Sequence, residues 1–172
     1  MARLLRDVCG LTNRPPRLAT FSYVGLHRYS LTFCVRQRKN VFTDAMLVAA
    51  LLEQISHAAR DWRFAVLAYC FMPDHLHLLV EASSTESNLP GFAHAIKQRT
   101  GYAYRRVSAD PLWQKGYFEH VLRDDEATTV VARYILANPV RRGLCSEPSL
   151  YELSGSLVWS REQSNELWLE GN

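Results

Sequence analysis

The sequence has no long apolar run, which argues against a membrane-spanning protein. No uninterrupted apolar stretch, including Ala45 to Leu52 and Phe64 to Met72, is long enough to cross a bilayer. Asp7 interrupts the N-terminal residues and no apolar segment follows it, so we expect no secretory signal peptide. No GxxxxGKS or GxxxxGKT motif is present, which argues against a P-loop nucleotide site. We therefore expect a cytoplasmic protein without a membrane segment.

Cysteine is also scarce, and its spacing argues against a structural zinc site. The four cysteines are scattered, and no two of them form a CxxC pair: Cys9, Cys34, Cys70 and Cys145. Structural zinc sites usually draw their thiolates from such closely spaced pairs. Cys34 and Cys70 stand in apolar runs, which is typical of small buried side chains in a reducing compartment.

Lysine is rare, and nearly all of the basic residues are arginine. The 172 residues include 20 Lys and Arg residues, and the formal net charge is +3. The first forty residues are strongly basic, whereas residues 145–172 are mostly acidic. A planar guanidinium fits phosphate oxygens, so a basic face with an acidic tail suits a polyanionic ligand. Arginine is also common on solvated surfaces, and composition alone leaves both interpretations open.

The order of apolar patterns predicts one α+β domain. Apolar or alternating segments predict strands at Tyr29–Val35, Phe64–Met72, His75–Glu81 and Gly116–Leu122. Helices are predicted from Thr43 or Asp44 to about Arg60, from Asn88 to about Arg106, and from residues 124–126 to Asn138. This βαββαβ order plus one helix is typical of a ferredoxin-like sandwich with an antiparallel sheet. We divide the domain, 1–172, into a basic arm (1–20), a core (about 21–144) and an acidic tail (145–172).

Two short motifs carry groups that could perform chemistry. His75 and His77 are two positions apart on a predicted strand, so both imidazoles leave the same face. Two nitrogen ligands with an open side suit a catalytic metal ion, although HxH also arises by chance or as a pair without metal. Tyr134 and Asn138 are one turn apart on the last predicted helix and could place a phenol beside an amide oxygen. Tyr134 could equally be a packing residue, and Asn138 before Pro139 a simple helix stop.

The same helix has a predicted core side, and two nearby segments combine basic and aromatic residues. We expect Val130, Val131 and Ile135 to face the core. In the segments 102–106 and 113–118, aromatic rings flank Arg or Lys, so unpaired bases could stack there, or the rings could belong to the core. The residues that we expect to contact nucleic acid are Arg14, Arg17, Arg36, Arg38, Lys97, Arg105, Lys115, Arg141 and Arg142.

Three strings in the chain resemble the REP-associated tyrosine transposases, which are domesticated relatives of the single-tyrosine HUH transposases of bacterial insertion sequences. The strings are FMPDHLHLLVE, QKGYFEHVLRDDE and VARYILANPVRRGL, and they occur in the family's order. The likeness runs from about Tyr29 to Leu144, whereas the arm and the tail match no family pattern. The insertion-sequence relatives usually carry Gln where this chain has the shorter Asn138, as its closer REP-associated relatives do.

The resemblance implies a metal-dependent single-stranded DNA endonuclease and strand transferase, or transposase. Tyr134 would be the nucleophile, and His75, His77 and Asn138 would bind Mg²⁺ or Mn²⁺. The substrate would be single-stranded or hairpin DNA such as a REP-like palindrome, processed by a monomer or a homodimer. A 5′-phosphotyrosine intermediate would conserve the energy of the phosphodiester, so rejoining would need no ATP.

Two other functions remain as alternatives. The same fold could bind hairpin DNA as a regulatory module with weak or no catalysis, but binding alone needs none of His75, His77 and Tyr134. A two-histidine phosphoesterase would need two HxT or HxS motifs on paired strands, and the chain has one HxH and no second copy.

Overall fold

A central antiparallel sheet organises the computed structural model, which describes residues 20–123, 127–160 and 162–163. The described strands are β1 (Arg28–Cys34), β2 (Phe64–Met72), β3 (His75–Ala82), β4 (Phe118–Val121) and β5 (Ser154–Gly155). The described helices are α1 (Ala45–Asp61), α2 (Leu89–Tyr104), α3 (Thr128–Leu136) and the single turn α4 (Asn138–Arg141), with 3-10 turns at Arg36–Arg38 and Pro148–Leu150. The predicted arm residues Arg14 and Arg17, and residues 124–126, lie outside the described residues.

The strand order matches the predicted fold. It is β4-β1-β3-β2-β5, and every neighbouring pair is antiparallel. β3 therefore lies between β1 and β2, which is the split βαβ arrangement of the ferredoxin-like fold, and the α+β prediction is confirmed. The sequence interpretation missed β5, because a strand of two residues at the sheet edge is too short for an alternating pattern.

Alternation along β3 separates the two faces of the sheet. Leu76 and Leu78 belong to the larger core, which also contains the buried faces of α1 and α2. Leu79 lies on the opposite face and packs with Val131, Ala132 and Ile135 of α3. His75 and His77 share the face of Leu79 because they are separated from it by even numbers of residues. The histidines and α3 are therefore on the same side of the sheet.

The predicted helix starts hold for α1 and α2. The Asp44 side chain accepts a hydrogen bond from the Met46 backbone N–H, and Asn88 accepts one from Gly91. These caps satisfy N–H groups that have no partner within the helix. No helix in the described segments is both long and apolar enough to span a membrane.

The core side of α3 differs from the prediction. Val131 and Ile135 are buried as expected, but Val130 is 37% exposed and Ala132 is fully buried instead. Neighbouring helical residues differ by about 100° in direction, so Val130 and Ala132 cannot both face the sheet beside Val131. The helix also ends earlier than predicted, at Leu136. Pro139 lies in the first turn of α4, where backbone N–H groups form no hydrogen bond within the helix, so the N–H that proline lacks is not needed.

The cysteines are only partly as expected. Cys34 and Cys70 are buried, which confirms the prediction from their apolar surroundings. Cys70 and Cys145 are free thiols, but Cys34 is disulfide-bonded, so the expectation of a reduced side chain is wrong for Cys34. The spacing of cysteines along the sequence does not show which of them come close in the folded chain. A disulfide forms only where the Cα and Cβ atoms of two cysteines have the required separation.

Candidate active site

His75 and His77 form a buried pair on β3. They are 2% and 6% exposed, and their Nε2 atoms lie 3.1 Å apart. Two neighbouring ligands that are each about 2.1 Å from an octahedral ion are separated by about 3.0 Å. The observed separation therefore matches two ligands of a single ion.

Each imidazole is anchored through its other nitrogen. His75 Nδ1 lies 2.6 Å from Asp74 Oδ1, and His77 Nδ1 lies 2.9 Å from Thr32 Oγ1. An ionised carboxylate can only accept, so His75 Nδ1 carries the proton and its Nε2 presents a lone pair towards His77. Contacts of this type fix the ring orientation and the tautomer of histidines that bind metal ions.

Burial keeps both histidines in the neutral form. Loss of solvent lowers the pKa of His75, and the nearby Asp74 opposes this shift. The pKa of His77 is lowered well below its usual value, first by burial and then by the electrostatic effect of His75, Arg141 and Arg38. Neutral imidazole is the form that binds a metal ion. At 3.1 Å, a proton or a metal ion must lie between the two nitrogens, because two facing lone pairs repel each other.

Tyr134 lies on the helix that covers the histidine face. Its ring is half-buried, and the Arg141 guanidinium stacks on it with Cζ 3.7 Å from the ring centroid. Arg141 also donates to the backbone oxygen of Tyr134 at 3.1 Å. The charge of Arg141 reaches His77, whose pKa it lowers, and also Cys70, the β2 partner of His77. Arg141 therefore links the tyrosine to the histidine pair.

The amide of Asn138 is already engaged. Its Nδ2 donates to the backbone oxygens of Tyr134 and Ile135, and its Oδ1 accepts from Arg141 Nη2 at 2.7 Å. Ligation of a metal ion by this oxygen stays a prediction, since Arg141 holds it here. Within the described segments, no set of three or more His, Cys, Asp and Glu side chains is arranged to hold a metal ion. A third ligand would come from an amide, water or substrate.

The predicted nucleic-acid contacts fall into different environments. The exposed members are Arg36, Arg105, Lys115, Arg141 and Arg142. Two members belong to the site itself: Arg38 forms an ion pair with Asp74 at 2.8 Å, and the exposed Arg141 stacks on Tyr134. Contact of these residues with DNA stays a prediction.

Lys97 and the aromatic segment before β4 have structural roles. Lys97 Nζ donates to the backbone oxygens of Gln114 and Gly116, which fastens the loop that leads into β4. Three rings of that segment, at Trp113, Tyr117 and Phe118, are buried, so the core interpretation applies to them. Tyr102 is 75% exposed, and its ring is open to stacking.

Two residues of the site were missed in the sequence. Asp74 directly precedes His75, and a carboxylate next to a candidate metal ligand could have been recognised in the sequence as a hydrogen-bond partner for that histidine. Thr32 is 45 residues from His77 and meets it only through the register of β1 with β3. Nothing local in the sequence marks Thr32.

Comparisons with known proteins agree on one group. The family described as "Transposase IS200 like" matches residues 23–138. A Haemophilus influenzae protein assigned to the REP-associated tyrosine transposases is 25% identical over 127 residues, which cover 67% of this chain and 71% of that protein. An uncharacterized protein from the same organism is 23% identical over 158 residues, or 74% of this chain and 88% of that protein. The structure of a REP-associated tyrosine transposase bound to a REP hairpin superposes with a TM-score of 0.69 at 22% identity, covering 83% of this chain and 81% of that one.

Proposed function

The chain belongs to the family of IS200-like transposases, and we propose that it cuts and rejoins single-stranded DNA through a covalent link to Tyr134. One observation carries this proposal: the Nε2 atoms of His75 and His77 converge to 3.1 Å on the sheet face that the helix of Tyr134 covers. A protein that only binds DNA needs neither a converging pair of imidazoles nor a tyrosine on the helix that covers them. Reaction chemistry uses both.

The residues of the site have separate tasks in this mechanism. His75 and His77 would hold a Mg²⁺ or Mn²⁺ ion, which would supply Lewis acidity at the scissile phosphate. Asp74 and Thr32 keep the two Nε2 atoms converged. Asn138 would offer its amide oxygen as a further ligand if Arg141 gave up its hydrogen bond to that oxygen.

Tyr134 performs the bond exchange. Its phenol loses a proton, its oxygen forms a bond to phosphorus, and the 3′ oxygen of the upstream nucleotide leaves with a proton. The reverse attack by a 3′-OH restores a phosphodiester and frees the tyrosine. One phosphate ester replaces another at each step, so neither cutting nor rejoining consumes ATP.

We propose hairpin DNA with a single-stranded flank as the substrate. A structurally similar transposase is bound to a REP hairpin. Exposed cations are present for the DNA backbone at Arg36, Arg105, Lys115 and Arg142. Tyr102, exposed near Arg105, offers a ring on which an unpaired base can stack.

The covalent link provides the test. A 3′-end-labelled hairpin incubated with the protein and Mn²⁺ should yield a labelled protein band on a denaturing gel. Tyr134→Phe keeps the ring that packs under Arg141 and removes the nucleophile, so we expect normal hairpin binding and no adduct. The matched controls, Tyr102→Phe and Tyr104→Phe, should form the adduct at the wild-type level.

Peptide mapping of the trapped adduct decides between the outcomes. The nucleotide should be found on Tyr134 through a 5′-phosphate, with a free 3′-OH on the other product. Attachment to another residue, or through a 3′-phosphate, would overturn the assignment. Tight hairpin binding without any adduct from the wild-type protein would instead support a regulatory binding module.

A further inference from the structure

The turn after β1 has a strained backbone that places an arginine beside the histidine pair. Gln37 and Arg38 have φ values of 59° and 56°, a left-handed conformation that is uncommon outside glycine and costs free energy. Backbone hydrogen bonds fasten this turn to the residue before β3. The Val35 N–H donates to the backbone oxygen of Asp74, and the Arg38 backbone N–H donates to the backbone oxygen of Val35. Such strain persists only where the surrounding structure holds it in place.

Arg38, Asp74 and His75 form a continuous chain of contacts. Arg38 Nη2 lies 2.8 Å from Asp74 Oδ2, and Asp74 Oδ1 lies 2.6 Å from His75 Nδ1. One carboxylate thus uses its two oxygens on two different partners. A guanidinium is a rigid planar donor, so it can fix the rotation of a carboxylate in a way that water cannot.

The second amino group of Arg38 shows that the guanidinium is held at a cost. Arg38 Nη1 is buried and has no hydrogen-bond partner among the described residues. A buried donor without a partner is destabilising. The other amino nitrogen, Nη2, contacts Asp74, and Asp74 in turn contacts His75, a candidate metal ligand.

We propose that Arg38 is a positioning residue for the metal site, which acts on His75 through Asp74. This inference rests on the proposed function, since a metal ion on His75 and His77 gives the positioning its purpose. Arg38 holds the carboxylate, the carboxylate holds the proton on His75 Nδ1, and the His75 Nε2 lone pair stays aimed at the ion. In this role Arg38 contacts neither the metal ion nor DNA.

The competing role of a simple nearby charge predicts the opposite result. A guanidinium close to the histidines repels a divalent cation, so removing that charge alone would tighten metal binding. Loss of an outer contact that orients a ligand instead weakens metal binding by about 10–100-fold. The sign of the change in Mn²⁺ affinity therefore separates the two roles.

The first measurement is an electron paramagnetic resonance titration of DNA-free protein with Mn²⁺. Arg38→Met should weaken Mn²⁺ binding by about 10-fold or more. Arg38→Lys keeps the charge but loses the planar fork, and it should weaken binding in the same direction. Lys39→Met is the matched control and should bind Mn²⁺ like the wild type, because Lys39 directly follows the same turn, is exposed and carries the same charge.

Asp74→Asn supplies the coupling test. It should weaken Mn²⁺ binding like Arg38→Met, and adding Arg38→Met to it should cause little further loss, because the two residues act as one chain. Mn²⁺ binding by Arg38→Met or Arg38→Lys that is as tight as wild type would overturn the proposal. Additive losses in the double variant would overturn it as well.

The second measurement uses metal-free protein and does not depend on catalysis. Nitrogen NMR of the imidazoles should show His75 in its Nδ1–H tautomer in the wild type and a mixture of tautomers in Arg38→Met. An unchanged single tautomer in Arg38→Met would overturn the positioning role. If the wild type forms no DNA adduct while these shifts occur, the proposed function fails and the positioning of His75 by Arg38 stands.

Discussion

At the residue scale, the candidate site depends on two imidazoles that are each held by a neighbouring side chain, Asp74 for His75 and Thr32 for His77. The shared face of His75 and His77 could be predicted from their spacing, because residues two apart on a strand point the same way, whereas their role as metal ligands was implied only by the family resemblance. Thr32 could not be predicted, since its contact with His77 depends on the pairing of β1 with β3. Asp74 is intermediate, since its position beside His75 is visible in the sequence but its hydrogen bond is not.

The histidine pair leads to a direct prediction about metal binding. His77→Ala removes one of the two converging nitrogens, so Mn²⁺ affinity should fall by more than the roughly 10–100-fold typical of losing an outer contact. Metal-dependent cleavage of hairpin DNA should be lost with it, while the circular dichroism spectrum stays that of a folded protein. Calorimetric titration with Mn²⁺ and a gel cleavage assay measure the two effects.

A suitable control for this substitution is His94→Ala, because His94 is exposed on α2, in the layer that covers the opposite face of the sheet. It should bind Mn²⁺ and cleave DNA like the wild type. Undiminished cleavage by both His75→Ala and His77→Ala would remove the metal from the mechanism.

At the scale of elements, α2 packs against the C-terminal end of α1 at a position where α2 has no side chain. A Cβ atom added at Gly91 would lie 2.1 Å from Cζ3 of Trp62, the residue that caps the C-terminus of α1. Gly91→Ala must therefore displace the indole ring, and we expect the free energy of unfolding to fall by about 1–3 kcal/mol. Urea denaturation followed by tryptophan fluorescence gives this value.

Gly101→Ala on the same helix is the matched substitution. Nothing lies within 4 Å of a Cβ added there, so the gain in helix propensity should raise the free energy of unfolding by about 0.5–1 kcal/mol. A stabilising effect of Gly91→Ala equal to that of Gly101→Ala would show that the two helices do not pack closely through Trp62.

The helix α3 shows where element-level prediction stops. Its existence follows from its apolar content, but three consecutive apolar residues, Val130, Val131 and Ala132, allow more than one core side. Packing against Leu79 selects Val131 and Ala132. The choice depends on the shape of the sheet surface, which no local pattern contains.

At the scale of the whole molecule, the exposed cations predict how binding responds to salt. Each phosphate neutralised on a single strand contributes a slope of about −0.7 to a plot of log affinity against log salt concentration. If Arg36, Arg105, Lys115 and Arg142 each contact one phosphate, the slope should be about −3 or steeper. Fluorescence anisotropy with a labelled hairpin at several salt concentrations measures it.

The same assay tests the preference for unpaired DNA. A hairpin with a single-stranded flank should bind more tightly than a plain duplex of the same sequence, because bases must be unpaired to stack on exposed rings. Lys115→Met should reduce the slope by about 0.7 without changing that preference. Equal affinity for the plain duplex, or a flat response to salt, would count against the proposed binding mode.

The split βαβ order, the caps of α1 and α2, and the shared face of His75 and His77 could all be predicted from the amino-acid sequence. These features depend on periods of two and 3.6 residues and on capping side chains, which act over a few positions of the chain. The contacts of Arg38 with Asp74, of Arg141 with Tyr134, and of Lys97 with a loop depend on the folded molecule. An arginine or lysine side chain can pair with any acceptor within its reach, and the strand register and the packing of α3 determine which acceptors those are.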